Sequence, residues 1–269
     1  VTEKIPALRL VSNDALPLRY GENPHQKGLF YGKLDEVFDI LNGKQLSYNN
    51  LLDVEAAVNL LADFNEPTFA IIKHNNACGL ASRSTVLEAW HAALAGDPVS
   101  AFGGILMSNV AIDLATAQEI DQIFYEVLIA PAYEPAALDL LKKKKNRILV
   151  QMKKPINQAW NARSILNGVL VQEKDAFVDT RANLQVVTQT QPSETELEDM
   201  IFAAKVVKHT KSNAIVLAKN KQLIGSGTGQ TSRIDAMKQA VHKARSFNFD
   251  VHGAVLASDA FFPFADSVE

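Results

Sequence analysis

The chain of 269 residues has one cysteine, no long apolar run and little net charge. The single cysteine, Cys78, excludes an internal disulfide framework and a thiolate cage for zinc. A membrane-spanning helix needs about 20 apolar residues, and no hydrophobic stretch of this chain approaches that length. A net charge of −3 gives no global basic field. The composition therefore predicts neither a nucleic-acid partner nor a membrane partner.

Metal and secretion signals are equally scarce. The six histidines are scattered, without a His-x-Glu or Cys-x-x-Cys arrangement. The start of the chain has no secretory signal pattern, which together with the low cysteine content predicts a cytoplasmic protein. The chain starts with Val1 and stops at Glu269, directly after a motif-rich segment, so we expect both ends to be cuts rather than natural termini.

Helical and strand-like patterns alternate along the chain, which is typical of an α/β fold with mainly parallel sheets. Ser193 and Glu196 form a capping-box pattern that predicts the start of a helix. We expect an irregular lead-in over 1–17, a first α/β subdomain over 18–152, a linker over 153–192 with one short strand near 168–171, and a second subdomain over 193–269 that is truncated at its C-terminus.

The most informative feature is Lys73-His74, at the end of an apolar run that begins near Pro67. Neighbouring side chains of a strand point to opposite faces, so both can reach one site only where the strand has ended. The polar and small residues from Asn75 to Gly79 predict that end. Lysine beside an imidazole at a strand terminus is typical of proton transfer, the alternative being a structural histidine.

Three further clusters are rich in polar residues and glycine. Arg19 and Tyr20 precede an Asn-Pro turn. One interpretation is that they bind a phosphate or a carboxylate, and the alternative is that they belong to a structural surface loop. Asn213 closes an all-polar connection between helix and strand, and its amide can hold an oxygen on which negative charge grows. A glycine loop from residue 225 opens a helix and can receive an anion. Gln230 fills the third glycine position of the dinucleotide pattern, which disfavours a nicotinamide cofactor.

Six long motifs follow one another along the chain. They are Leu18–Gln26, Lys73–Gly79, Asp97–Gly104, Lys208–Asn213, Gly227–Arg233 and Ser258–Phe264. Together they resemble the formyltransferase half of the bifunctional AICAR transformylase/IMP cyclohydrolase family of purine biosynthesis. The second motif departs from the family pattern, with Ala77 where proline is usual. The resemblance implies two cytidine-deaminase-like three-layer α/β/α subdomains without catalytic zinc, in a homodimer with shared active sites.

The resemblance also implies a reaction, the transfer of a formyl group from the co-substrate 10-formyltetrahydrofolate to the 5-amino group of AICAR. That amine is a weak nucleophile because its lone pair is delocalised into the ring, so a base must remove a proton as it attacks. His74 is the candidate base, Lys73 the candidate donor to the leaving folate nitrogen, and Asn213 the candidate oxyanion partner. Substrate-binding roles are implied for Arg19, Tyr20, Ser100, Phe102, Gly103, Gly104, Glu126, Gly229, Gln230, Arg233, Phe261 and Asp266.

Alternatives stay open. A non-catalytic nucleotide- or folate-binding relative, or a fragment with an incomplete site, would keep the clefts without turnover. A deaminase would need a metal, and a purely structural scaffold would leave the polar clusters without a purpose. Cys78 near His74 leaves open a thiol nucleophile, although a buried inert thiol is commoner. The sequence does not settle whether a fused IMP cyclohydrolase domain exists in the parent, or whether a monovalent cation such as potassium binds.

Overall fold

Strands and helices alternate in the structure, a computed structural model that describes residues 12–156, 158–262 and 264. The strands are β1 (Ala15–Pro17), β2 (Leu29–Tyr31), β3 (Phe38–Asn42), β4 (Thr68–Lys73), β5 (Asn76–Ser82), β6 (Ile105–Ser108), β7 (Val127–Ala130), β8 (Ile148–Met152), β9 (Trp160–Ile165), β10 (Gly168–Glu173), β11 (Ile215–Ala218), β12 (Leu223–Gly227) and β13 (Val255–Ser258). The helices are α1 (Tyr48–Leu61), α2 (Val86–Gly96), α3 (Pro98–Ala101), α4 (Leu114–Ile120), α5 (Pro135–Leu141), α6 (Glu194–Lys208) and α7 (Arg233–Ser246). Across the described ranges, no helix has the length and apolar character needed to cross a membrane.

The larger sheet is mixed, with the strand order β3-β8-β7-β6-β4-β5. Its centre is parallel, because β7 pairs in parallel with both β6 and β8. The pairs β3–β8, β4–β6 and β4–β5 are antiparallel. Since β5 is antiparallel to β4 and β4 to β6, the strands β5 to β8 all run in one direction. The predicted α/β architecture is confirmed, with parallel pairing confined to the middle of this sheet.

The smaller sheet shows that the expectation of mainly parallel sheets was wrong for the second half of the chain. Its order is β12-β11-β13, and both pairings are antiparallel. For the β11–β12 pair the reason is the turn between the two strands, in which Asn220 and Lys221 have φ values of 54° and 50°. Two left-handed residues make a tight hairpin turn, which forces the chain to return antiparallel.

The two sheets meet edge to edge, so the helices cover them in common layers. The N–H of Ser82, at the end of β5, donates to the carbonyl oxygen of Lys221 beside β12 at 3.0 Å. On one face, α1 and α6 share a single apolar core with strands of both sheets. On the other face, α2, α4 and α5 pack on the larger sheet and α7 packs on the smaller one. One core thus crosses the boundary expected between the two subdomains. The division into subdomains and their deaminase-like duplication stay predictions.

The expected linker over 153–192 contains an exposed hairpin. The strand predicted near residues 168–171 is present as β10, and it pairs antiparallel with β9. The sequence did not predict β9, because Asn161, Arg163 and Ser164 interrupt its apolar pattern. Several apolar side chains of the hairpin are exposed to solvent, namely Trp160, Ile165, Leu166, Val169, Leu170 and Val171.

Candidate functional site

Lys73 and His74 lie at the tip of the β4–β5 hairpin. Lys73 pairs with Asn76, and the two residues between them, His74 and Asn75, have φ values of 52° and 66°. These are the left-handed values of a two-residue hairpin turn. The prediction that the strand ends at Lys73 is confirmed, whereas the return of the chain as β5 was not predicted. Because His74 lies in the turn, the alternation of strand faces no longer separates the two side chains, and both line one cleft.

Asp53 of α1 anchors this turn. The N–H of Asn75 donates to Asp53 Oδ1 at 2.6 Å. Burial raises the pKa of the Asp53 carboxyl above its ordinary value, and the Asn75 bond and the charges of His74 and Lys73 oppose this only in part. The contact of Asp53 with the turn is a result of the tertiary fold, because Asp53 and Asn75 are 22 positions apart in the chain.

The cleft beside Lys73 and His74 has a volume of about 250 Å³. Residues from both halves of the chain form its walls. The first half contributes Lys73, His74, Asn76, Ala77, Cys78, Gly96, Asp97 and Ser100, and the second half contributes Leu223, Gly225, Ser226, Thr228, Gln239 and Lys243. The tip of the hairpin, α3 and α7 thus line one cleft.

Asp97 and Lys243 were not predicted as site residues, yet they form an ion pair in this cleft. Asp97 Oδ2 accepts a hydrogen bond from Lys243 Nζ, and Asp97 Oδ1 accepts one from the N–H of Ser100 at 2.9 Å. Burial favours the neutral acid, but the bonds from Lys243 and Ser100 outweigh it and lower the pKa of Asp97. Burial, followed by the charge of Asp97, raises the pKa of the Cys78 thiol to about 12. Cys78 therefore stays protonated at neutral pH, which disfavours it as a nucleophile.

The segment before β6 meets the Lys73 side chain. Lys73 Nζ donates to the carbonyl oxygen of Phe102. Gly103 has a φ of 73°, and a Cβ on it would lie 3.6 Å from Lys73 Nζ. The N–H of Gly103 donates to the carbonyl oxygen of Phe124 at 2.8 Å, which fixes the segment against the start of β7. The predicted binding residues Ser100, Phe102, Gly103 and Gly104 thus lie in one stretch beside Lys73.

Arg19, Tyr20 and Glu126 form a second polar cluster. The N–H of Glu126 donates to the carbonyl oxygen of Gly104 at 3.0 Å, which connects this cluster to the Lys73 segment. Arg19 Nη2 donates to Tyr20 Oη at 3.0 Å. Glu126 Oε2 lies 2.8 Å from Lys44 Nζ but 3.9 Å from Arg19 Nη2. Lys44, which no sequence signal indicated, is therefore the closer partner of Glu126.

Asn213 is not among the residues that line the cleft. Its Nδ2 donates to the carbonyl oxygen of Gln230 at 2.9 Å. The N–H of Lys211 donates to Asn76 Oδ1 at 3.2 Å, and this bond holds the segment before β11 against the end of the hairpin turn. The structure therefore brings Lys73 and His74 into one cleft and places Asn213 in an adjoining segment.

The remaining predicted residues lie in the second half. Gln230 Nε2 donates to Gln239 Oε1 at 3.1 Å, which closes the glycine loop onto α7. Gly229 in that loop has a φ of 64° and open space around it. Arg233 Nη1 donates to Asp259 Oδ1, so this arginine is already paired. Phe261 is exposed, and Asp266 lies outside the described residues.

A second Lys-His pair, Lys208-His209, binds Asp63. Lys208 Nζ and His209 Nε2 lie 3.1 Å and 2.8 Å from Asp63 Oδ2, just beyond the end of α1. Burial opposes ionisation of Asp63, but the bonds from His209 and Lys208 prevail and lower its pKa. This pair joins α1 to α6. It does not reach the cleft.

Within the described residues, no group of three or more His, Cys, Asp or Glu side chains is arranged to hold a metal ion. The absence of catalytic zinc and the binding of a monovalent cation stay predictions.

Comparison with known proteins gives a consistent result. The family model described as AICARFT/IMPCHase bienzyme matches residues 2–243. The bifunctional purine biosynthesis protein PurH of Bacteroides thetaiotaomicron is 61% identical over 263 residues, which cover 98% of this chain and 52% of that protein. Proteins of the same name from Chlorobium chlorochromatii and Aquifex aeolicus are 49% and 47% identical, over 94% and 95% of this chain and 50% and 52% of their own lengths. The chain spans about half the length of these relatives. It belongs to the AICARFT/IMPCHase bienzyme family.

Proposed function

We propose that this chain transfers a formyl group from 10-formyltetrahydrofolate to the 5-amino group of AICAR, giving formyl-AICAR in purine biosynthesis. The observation that carries the proposal is the placement of Lys73 and His74 side by side at a hairpin tip, lining one cleft. The family description, AICARFT/IMPCHase bienzyme, supports the proposal, and the name of the relatives supports a role in purine biosynthesis.

The proton transfers that the reaction requires suggest a role for each side chain of the site. The AICAR amine attacks the formyl carbon to give a tetrahedral intermediate with an oxyanion, and the C–N bond to the folate then breaks, so the amine loses a proton and the folate nitrogen gains one. His74 is the base, because an imidazole exchanges protons near neutral pH. Lys73, whose ammonium donates to the Phe102 carbonyl oxygen, supplies the proton to the departing nitrogen. Asn213, in the segment that adjoins the cleft, gives one N–H to Gln230, and its second N–H is proposed for the oxyanion.

Arg19 and Tyr20 hold the nucleotide in this proposal. Lys44 lies closer to Glu126 than Arg19 does, so the Arg19 guanidinium does not form a close ion pair with Glu126. Its Nε is buried and has no hydrogen-bond partner among the described residues, so the hydrogen-bonding capacity of the side chain is not exhausted. A guanidinium in this state can make bidentate bonds to an anion. The other expected binding residues are proposed to lie along the nucleotide and folate clefts, namely Ser100, Phe102, Gly103, Gly104, Glu126, Gly229, Gln230, Arg233, Phe261 and Asp266.

A homodimer with shared active sites belongs to the same proposal. The exposed apolar side chains of the β9–β10 hairpin, among them Trp160, Leu166 and Leu170, support an interface there. We also propose that the protein acts in the cytoplasm and binds a monovalent cation such as potassium. Rates in potassium chloride and in choline chloride at equal ionic strength test the cation.

The decisive experiment is a formyl-transfer assay with the purified full-length protein, AICAR and 10-formyltetrahydrofolate, with formyl-AICAR detected by mass spectrometry. Calorimetric titration with AICAR and with a folate analogue accompanies it. Product formation supports the proposal. Binding of both ligands without product favours the non-catalytic relative, and stoichiometric zinc in elemental analysis favours a deaminase. Absence of binding and of product rejects the proposal.

A further inference from the structure

The ion pair of Asp97 and Lys243 has no part in the proton transfers proposed above. Asp97 directly precedes α3, and its side chain is 2% exposed. Lys243 comes from α7, on the far side of the cleft, and its side chain is 37% exposed. A carboxylate this deeply buried is costly unless it is paired, so the lysine is needed to keep it ionised in place.

Asp97 also fixes the short helix α3. Its Oδ1 caps the helix by accepting from the N–H of Ser100, and its carbonyl oxygen accepts from the N–H of Ala101 at 3.2 Å. The helix ends at Ala101, and the next residue is Phe102. The Phe102 carbonyl oxygen accepts from Lys73 Nζ. A continuous series of contacts therefore runs from Lys243 through Asp97 and α3 to the ammonium of Lys73.

The three charged groups belong to one cleft. Lys73, Asp97 and Lys243 all line it, together with the Cys78 thiol. If Lys243 lost its charge, the buried Asp97 carboxylate would have no partner on α7. The other ammonium that lines the cleft is that of Lys73, and Asp97 would then draw it away from Phe102.

We propose that Asp97 and Lys243 are positioning residues that set the location of the Lys73 ammonium through α3 and the Phe102 carbonyl. Lys243 lies on a helix that packs on the smaller sheet, so the position of Lys73 depends on the contact between the two halves of the chain. The inference rests on the proposed formyl transfer for its kinetic consequence, and on geometry alone for its structural one.

The kinetic test compares Lys243→Met with Lys243→Arg and with the control Lys238→Met, which makes the same change at an exposed position of α7. In the full-length protein, Lys243→Met should lower kcat by about 10- to 100-fold, the scale expected for misplacing a reacting group by about 1 Å. The KM values for AICAR and folate should stay near those of the wild type, and Lys243→Arg should restore most of the rate. A folded Lys243→Met enzyme with the kcat of Lys238→Met overturns the inference, as does a loss confined to KM.

A second measurement does not depend on activity. Lysines are labelled by reductive ¹³C-methylation, and the Lys73 signal is assigned with Lys73→Arg. That signal should move in Lys243→Met and stay in place in Lys238→Met; an unmoved signal overturns the inference. If the wild type transfers no formyl group, the proposed function fails while this readout still decides the positioning claim.

Should Lys243→Met not fold, the pair is replaced together in Asp97→Asn/Lys243→Met, which keeps a good helix cap without a buried charge. A slow, folded double variant with a shifted Lys73 signal supports the inference. Wild-type turnover with an unshifted signal in that variant overturns it.

Discussion

The backbone of Gly43 passes so close to Arg147 that a Cβ on residue 43 would lie 2.4 Å from the Arg147 carbonyl oxygen. Gly43 has a φ of 105°, and the neighbouring Asn42 Nδ2 donates to the same carbonyl oxygen at 2.8 Å. The turn held in this way delivers Lys44 to Glu126 in the second polar cluster. One glycine therefore positions a cation that the sequence did not indicate.

Gly43→Ala should destabilise the protein by about 3 kcal/mol, because it adds a steric clash with backbone to the strain of a positive φ. Gly253→Ala is the matched control, since Gly253 has a φ of 70° but open space around it. Its loss should be about 1 kcal/mol, the strain alone. Urea denaturation of both variants gives the comparison, and equal losses would contradict the close approach at residue 43.

His74→Asn should abolish proton transfer without disturbing the hairpin turn. Asparagine tolerates a positive φ better than most residues, so the turn at φ 52° is kept while the imidazole is lost. We expect turnover to fall by about two to four orders of magnitude in His74→Asn, His74→Ala and Lys73→Ala, the scale for losing a proton-transfer group. The rate of formyl-AICAR formation is measured beside the melting temperature. The exposed His242→Asn serves as the control, and a near-wild-type rate for His74→Asn would reject the assignment.

Asp63→Asn should remove a pH-dependent part of the stability. Bonds from His209 and Lys208 hold the pKa of Asp63 below its ordinary value of 3.8, against the effect of burial. The folded state thus binds this proton less readily than the unfolded state, so the stabilisation is present well above pH 3.8 and is lost as the pH falls through the lower folded value. At pH 7 the variant should lose about 1 kcal/mol, because the contact is partly screened by solvent.

Urea denaturation between pH 7 and pH 3 measures this effect. The difference between wild type and Asp63→Asn should shrink as the pH falls. Asp139→Asn, at an exposed aspartate of α5, should differ little from wild type throughout. A difference for Asp63→Asn that is constant with pH would show that the carboxylate charge is not what stabilises the contact.

Leu170→Asp should weaken the proposed homodimer, because it places a charge among the exposed apolar side chains of the β9–β10 hairpin. Sedimentation velocity over a range of concentrations should show a shift toward monomer. The control Gln118→Asp adds the same charge at an exposed position of α4 and should leave the association unchanged. Equal dimer populations in the two variants would place the interface elsewhere.

Local signals along the chain were sufficient for several elements. The capping box predicted from Ser193 and Glu196 is confirmed: the N–H of Ser193 donates to Glu196 Oε2 at 2.7 Å, and the N–H of Glu196 donates to Ser193 Oγ at 3.3 Å. The partners of such a motif are three residues apart, so nothing distant is needed to form it. The end of β4 at Lys73 followed from local chemistry in the same way.

The strand β5 was missed because its reason is not local. Gly79 indicates a chain break when only its neighbours are considered, yet here it lets the strand pass close to α2. A Cβ on Gly79 would lie 2.1 Å from the carbonyl oxygen of Ala93. The residues of β5 form a strand because β4 pairs with them and α2 covers them.

The sequence by itself determined the alternating α/β layers, the placement of Lys73 and His74 where a buried strand ends, and the motifs that mark the family. Only the tertiary structure decided that Asp97 pairs with Lys243, that Lys44 rather than Arg19 is the near partner of Glu126, and that Asp63 binds the second Lys-His pair. The reason is the range of the forces involved. Strand ends and helix caps depend on residues a few positions apart, whereas the pairing of buried charges depends on which distant segments the packed core brings together.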